Sequence, residues 1–331
     1  MRKKIYVFSF LAIASALLVA GCGGLHVNVG PESKKEPLKE FTLEGKEDGK
    51  VLVIPIRGIL SDAPKKGFIT DQPSVVEEVT SQLRLAEKDK DIKAVVIEID
   101  SPGGTVTASD IIYHEIRRFK IRTGATVVAV MMDVAASGGY YIALPADRIV
   151  AHPGTITGSV GVIFMIPKVG GLMDKLGLAV EVNKSGKEKD IATPFRPSTT
   201  EEKRILQELT DLMGKRFLDL VARHRKLDQK NMADVSTARI YLADQALQLK
   251  LIDRVGYVSD AISEAKDAAG LSRDAKVVVY RRTKYPNDNV YNSSSGYGGG
   301  PMSLVDLNLS EIIPALKSGF YYLWAPGASN N

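Results

Sequence analysis

What most constrains this chain is an alternation in its first half: a short, largely apolar run rich in β-branched residues, then an amphipathic stretch. Residues 51–56, 93–100 and 126–132 are such runs. Successive apolar residues, rather than alternating ones, suit strands buried on both faces. Between the first two runs lies a stretch that Ser74 can cap, with Val75, Val79, Leu83 and Ala86 on one helical face. Between the second and third, Ile111, Ile112, Ile116 and Phe119 line a face that Thr123-Gly124 closes. Strand, helix, strand, helix, strand, helix predicts an α/β fold: a parallel sheet flanked by helices, in a single domain.

In parallel sheets, sites form at the carboxyl ends of strands. Ser101-Pro102-Gly103-Gly104 follows the second run and Asp133-Val134-Ala135-Ala136-Ser137-Gly138-Gly139-Tyr140-Tyr141 follows the third, so both fall on one rim. A strand that stops at small residues, presents a serine and enters a helix is a nucleophile elbow, although Ala135 stands where the hydrolase form has glycine. The competing reading is a tight turn in which Ser137 caps the helix.

A serine hydroxyl attacks only once a base takes its proton. Of the four histidines, His26 lies near the N-terminus, His114 lies opposite an apolar stripe, and His224 lies near the end of a long helix. His152, before Pro153, is the histidine candidate. A lysine amine serves instead when burial or nearby positive charge makes it easier to deprotonate. Lys187 and Lys189 offer that, in a polar loop that otherwise reads as a solvated surface.

Composition matters at the ends. Arg2, Lys3 and Lys4 supply three of the five net positive charges, so no nucleic-acid partner is read from the charge balance. They precede an apolar run from Ile5 to Ala20 and then Gly21-Cys22. Residues 1–21 read as a lipoprotein-type signal, with Cys22 lipidated, or else as an uncleaved anchor. Cys22 is the single cysteine, so no internal disulfide forms. Residues 22–50, rich in lysine and glutamate, read as a polar tether to a membrane.

Further along, residues 147–151, 155–162 and 178–183 read as strands, 200–226 as a long helix, 239–249 as a small strand-plus-helix unit, 258–269 as a last helix and 276–280 as a closing strand. Residues 283–331 read as a flexible linker, Gly/Ser/Asn-rich over 286–300, and an apolar tail. The tail invites two readings: an amphipathic helix packed on the domain or membrane, or a segment that reaches the rim.

Four motifs in order carry a family resemblance: Ser101-Pro102-Gly103-Gly104, Ala135 to Tyr141, Thr157-Gly158-Ser159-Val160-Gly161-Val162, and Lys184-Ser185-Gly186 with Lys189-Asp190. Together they resemble the short form of signal peptide peptidase A, a family of Ser/Lys serine peptidases with a Clp protease/crotonase-like fold. The resemblance implies a peptidase domain over 51–282, Ser137 as nucleophile and Lys189 as general base. It also implies Ser159 as the hydroxyl orienting that lysine, and the N–H groups of Gly138 and Gly104 as the oxyanion hole. It implies a homo-oligomeric ring in which a neighbour can supply the base, cleaved signal peptides or other short apolar peptides as substrates, and no metal or cofactor. A membrane-attached protein of the bacterial cell envelope, its domain on the extracytoplasmic side, is implied by the same likeness and the leader. Competing readings are a related peptidase acting on a specific membrane-protein partner, a crotonase-like thioester enzyme using Asp133 or Asp147, and a non-catalytic lipoprotein scaffold.

Overall fold

The computed structural model describes residues 37–64, 72–293 and 318–326. The leader and Cys22 lie outside them. The strands are β1 (Lys39–Glu44), β2 (Glu47–Arg57), β3 (Ile92–Ser101), β4 (Gly103–Thr105), β5 (Thr126–Ala136), β6 (Arg148–Ala151), β7 (Ile156–Gly158), β8 (Ile163–Met165), β9 (Ile240–Leu242), β10 (Arg254–Val255), β11 (Ala275–Arg281) and β12 (Gly319–Leu323). The helices are α1 (Val75–Ala86), α2 (Val106–Thr123), α3 (Gly138–Ala143), α4 (Gly170–Leu176), α5 (Thr200–Arg225), α6 (Gln229–Val235), α7 (Ala243–Gln248) and α8 (Val258–Ala268).

The main sheet runs β1-β11-β2-β3-β5-β6-β10, and β7 bridges β5 to β9. Its inner pairings from β11 through β10 are parallel. Both faces are covered, which explains the unbroken apolar runs. Leu52, Ile54 and Ile56 of β2, with Val95, Ile97 and Ile99 of β3, enter one core beneath α1 and α2. Val51, Val53, Ala94 and Val96 enter the other, against Ala261, Ile262 and Ala265 of α8. Side chains alternate faces along a strand, so every second residue serves each core.

Strand β5 departs from an ideal ladder in a way that builds the site. Ile99 lies opposite Met131 but Ser101 opposite Ala135, so β5 carries two more residues than β3 across that interval. Such a bulge bends a strand and re-aims the residues beyond it. Asp100 Oδ1 accepts from the Val134 amide there at 3.2 Å. Before the bulge β5 pairs with β6, and after it with β7, carrying the strand on to Ala136.

Three sequence expectations are corrected. The expected tether over 22–50 ends earlier: β1 pairs antiparallel with β11, and β2 begins at Glu47, because Phe41 and Leu43 pack on the α8 core. Residues 178–183 are not a strand; they find no ladder partner among the described residues, and Val180 and Val182 stay exposed. The 283–331 segment is not uniformly a linker. The buried Arg281 bonds Asp288 and the Asn292 carbonyl, and Ser293 Oγ donates to Glu98 Oε2 at 2.5 Å, pinning the segment's start. Near its end, β12 is the middle strand of a second sheet, β4-β12-β8. Among the described residues no helix is long and apolar enough to cross a membrane.

Candidate active site

Ser137 follows β5 directly. Its backbone is held at φ 53°, ψ −114°, a conformation that side-chain-bearing residues seldom adopt and that costs about 1–3 kcal/mol. The surroundings fix it: Ser137 N–H donates to Gly158 O at 2.8 Å, and Tyr141 N–H donates to Ser137 O at 2.9 Å. Ser159 has a similar positive φ of 50° at the end of β7. Ala136 lies opposite Gly158, so Ser137 and Ser159 each follow a register pair at the tips of adjacent strands. Ser137 Oγ is buried and makes no hydrogen bond among the described residues.

Gly103 and Gly104 run beside this turn as β4. Gly103 O accepts from Leu60 N–H at 2.9 Å and Thr105 N–H donates to Leu60 O at 3.0 Å. Alternation then turns the N–H and C=O of Gly104 to the opposite side, toward its register partner Tyr322 in β12. Trp324 N–H continues that ladder to Pro102 O at 2.9 Å. A Cβ on Gly103 would lie 2.0 Å from Tyr322 O and 2.7 Å from Gly138 N. The Tyr322 carbonyl and the Gly138 amide therefore converge on the Gly103 α-carbon, where a side chain would separate them. At Gly104 a Cβ would meet Leu60 O at 2.0 Å. Both glycines permit close backbone approach, as their position on the rim required.

The occupant is the chain's own tail. Residues 319–323 pair antiparallel with β4 on one side and with β8 on the other, as an extended peptide does when it adds to a sheet. This resolves the two readings of the tail: the described part is a strand across the rim. Phe320 packs on Phe164 with centroids 4.7 Å apart. Tyr322 is buried completely between Tyr141 and Phe217, and its hydroxyl donates to Met213 O at 3.3 Å. Burial pushes its phenol up to about 12. Phe217 and Met213 carry no local signal of a site, because they lie on α5, far along the chain. Tyr141 stands within one of the four motifs, yet only its packing shows what it does.

Lys189 sits in the irregular stretch between α4 and α5, exposed, with no side-chain hydrogen bond among the described residues. The single chain does not join it to Ser137. Its loop is nevertheless braced. Lys184 Nζ donates to Asp190 Oδ1 at 2.5 Å, and Arg196 bridges Asp190 to Glu202, which together with Thr199 caps α5. Lys184 and then Arg196 hold Asp190 at about 2, and Arg196 holds Glu202 at about 2. Lys187 is exposed and pairs with Glu188 at 3.3 Å.

The competing residues lie elsewhere. His152 Nδ1 accepts from Gly154 N–H at 3.1 Å and its ring meets Tyr257, so it is not hydrogen-bonded to Ser137. His224 bonds Tyr113. Asp147 accepts from Val127 N–H, at the opposite end of β5 from Ser137, and pairs with Lys120. Asp133 is exposed on the bulge. Among the described residues no group of His, Cys, Asp or Glu could hold a metal ion.

The peptidase family S49 profile matches residues 120–272, and the Clp protease profile matches residues 68–155. A protein of Enterococcus faecium described as a signal peptide peptidase SppA is 32% identical over 263 residues, covering 80% of this chain and 74% of that protein. A Synechocystis protein described as a protease is 36% identical over 225 residues, covering 68% and 76%. The serine protease SPPA, chloroplastic, of Arabidopsis thaliana is 32% identical over 286 residues, covering 86% and 42%. A solved ClpP1 mutant from Listeria monocytogenes covers 63% of this chain and 94% of its own, at 20% identity and a TM-score of 0.42. With the Enterococcus likeness running over four fifths of its length, the chain belongs to peptidase family S49 and is a serine peptidase built on a Clp protease-like fold.

Proposed function

We propose that this peptidase cleaves signal peptides after their release from preproteins, and that Ser137 and Lys189 form its dyad. The observation that carries the reading is the Tyr322 carbonyl, on the residue register-paired with Gly104, converging with the Gly138 amide on the Gly103 α-carbon beside the strained Ser137. A substrate lies as the middle strand between β4 and β8, its main chain read by hydrogen bonds. Ser137 Oγ attacks the carbonyl carbon while the neutral Lys189 amine takes its proton. The N–H groups of Gly104 and Gly138 stabilise the oxyanion, an effect typically worth about 10²–10³ in rate for each donor. The intermediate collapses, the leaving amine takes the proton from Lys189, and an acyl-enzyme on Ser137 remains. Water, deprotonated by Lys189, releases the product. Ser159, at the neighbouring strand tip, orients the lysine. No cofactor enters these steps.

Lys189 comes from a neighbouring copy in a ring. Two features support this: Lys189 is exposed and not hydrogen-bonded to Ser137 in the single chain, and Leu172, Leu176, Leu178, Val180, Val182 and Phe195 expose apolar surface along the same stretch. A concentrated apolar surface of that kind marks an interaction site. Residues 1–21 direct the protein to the cell envelope and Cys22 or the leader attaches it to the membrane, with the catalytic domain on the extracytoplasmic side, where remnant signal peptides are met. An alternative substrate is a specific membrane protein, which would use the same residues.

The test pairs phosphonofluoridate labelling with peptide hydrolysis. Wild type is labelled and Ser137→Ala is not; Lys189→Ala loses hydrolysis. Full hydrolysis by Lys189→Ala, with loss in His152→Ala, would replace the dyad with a histidine mechanism. Turnover of a synthetic signal peptide, but not of the intact preprotein, supports the substrate assignment.

A further inference from the structure

We propose that Arg196 is a positioning residue for Lys189: it ties the lysine's loop to the start of α5 and occupies the carboxylate of Asp190, which would otherwise close onto the lysine amine and keep it from acting as a base. The proposal rests on Lys189 being the general base and deepens that reading.

The backbone around Lys189 holds only itself. Residues 177–199 carry no strand or helix. Short turns shape the loop: Lys189 N–H donates to Gly186 O at 3.1 Å, Ile191 N–H to Glu188 O at 3.1 Å, and Thr193 N–H to Asp190 O at 3.0 Å. Its tie to α5 comes from one side chain. A guanidinium has five N–H donors in one plane, and Arg196 uses all five. Nε and Nη2 donate to Asp190 Oδ2 at 3.3 and 2.9 Å. Nη2 donates also to Glu202 Oε1 at 2.6 Å, and Nη1 to Glu202 Oε2 at 2.9 Å and to Pro197 O at 3.1 Å. Glu202 is buried, and its Oε2 accepts from Thr199 N–H at 2.8 Å within the α5 cap. One planar group therefore joins the residue after Lys189 to the first turn of a 26-residue helix. An ammonium, with three donors and no fixed plane, does not reproduce that fork.

The loop contains its own control for the second role. Lys187 pairs with its chain neighbour Glu188, so a lysine followed directly by an acid closes here when the acid is open. Lys189 is followed directly by Asp190, yet its amine makes no ion pair among the described residues. The difference is what Asp190 already holds: Oδ1 accepts from Lys184 and Oδ2 from Arg196, so both oxygens are taken. A carboxylate freed beside the amine would favour the ammonium, whereas a general base must be neutral. The other acids of this region have cations of their own: Glu188 has Lys187, Glu201 has Arg204 and Glu202 has Arg196. Lys168, from the stretch before α4, lies in the field of Arg196, Glu202 and Lys203, and donates to Thr193 O. Loss of Arg196 therefore exposes Asp190 and Glu202 without a replacement cation in place.

The experiment uses the full-length protein and measures kcat on a short apolar peptide as a function of pH. The rate rises with pH as the base loses its proton, so a freed carboxylate moves the rise to higher pH. Arg196→Gln should raise the midpoint by about one pH unit, which lowers the rate about tenfold on the rising limb and leaves the alkaline plateau and KM within about twofold of wild type. Asp190→Asn added to Arg196→Gln removes the competing charge and should return the midpoint to the wild-type value. Arg196→Gln with Glu202→Gln leaves no unpaired buried carboxylate and should show the same one-unit rise, which covers the case of Arg196→Gln failing to fold. A lowered plateau with an unmoved midpoint, in Arg196→Gln and in its Glu202→Gln partner, would reduce Arg196 to a structural role and overturn the proposal. A shift that Asp190→Asn leaves in place would overturn Asp190 as its source. Full kcat in Lys189→Ala would instead remove the base on which the proposal rests.

Discussion

Removing the Tyr322 side chain should open the site to outside peptides. The ring is wholly buried against Tyr141 and Phe217, so truncation to alanine forfeits both its burial and its stack. Losses for buried aromatic residues run at about 3–5 kcal/mol, and about 3 kcal/mol lowers an occupancy constant by roughly 150-fold. The tail competes intramolecularly, so the apparent KM is the intrinsic KM multiplied by one plus the ratio of occupied to open sites. If the tail fills even about nine sites in ten, at the millimolar effective concentration a tether supplies, Tyr322→Ala brings that ratio from about ten to below about 0.1. The apparent KM then falls about tenfold while kcat holds. The assay is initial-rate hydrolysis of a short apolar peptide by wild type, Tyr322→Ala and a chain ending at residue 317, each checked for an intact fold by its thermal midpoint. The rate of phosphonofluoridate labelling should rise in parallel, because Ser137 Oγ is buried in the occupied site. An unchanged KM in both altered chains, or a fall in kcat with KM constant, would refute self-occupancy as the brake.

Mixing Ser137→Ala with Lys189→Ala protein, each inactive alone, should restore part of the activity if the lysine crosses between copies; dead mixtures under subunit exchange would place it in the same chain. Lys187→Ala should keep most of the activity. Gly104→Ala drives a Cβ into Leu60 O and shifts the amide proposed as an oxyanion donor, so kcat should fall by at least about a hundredfold, whereas Gly171→Ala, with open space around it, should be silent. Asp190 and Glu202 are depressed in the folded protein, so they contribute stability above their ordinary values of 3.8 and 4.5 that is lost as pH falls through about 2. Carboxyl NMR titration should place both midpoints near 2; midpoints near 4 would mean that the Arg196 bridge is not formed in solution.

What the sequence determined by itself was local. The doubly buried runs of β2, β3 and β5, the caps at Ser74 and Thr199, the glycine that ends α2 and the serine between small residues are each written within about one element's length, where side-chain periodicity and backbone sterics decide. That was enough to set Gly104 and Ser137 on one rim. The tertiary structure decided the rest, because it depended on partners distant in the chain. The two-residue bulge in β5 exists only in register with β3. Residues 178–183 carry strand-like residues but find no ladder among the described residues, while 39–44 find one in β11. The tail is apolar at every position of 320–324, so no period distinguishes helix from strand there. It becomes a strand because β4 and β8 leave a gap one strand wide with unpaired backbone groups on both sides. The tyrosine cage joins residues 110, 141, 213, 217 and 322, which no spacing rule connects, and a single folded chain leaves Lys189 exposed, with no hydrogen bond to Ser137.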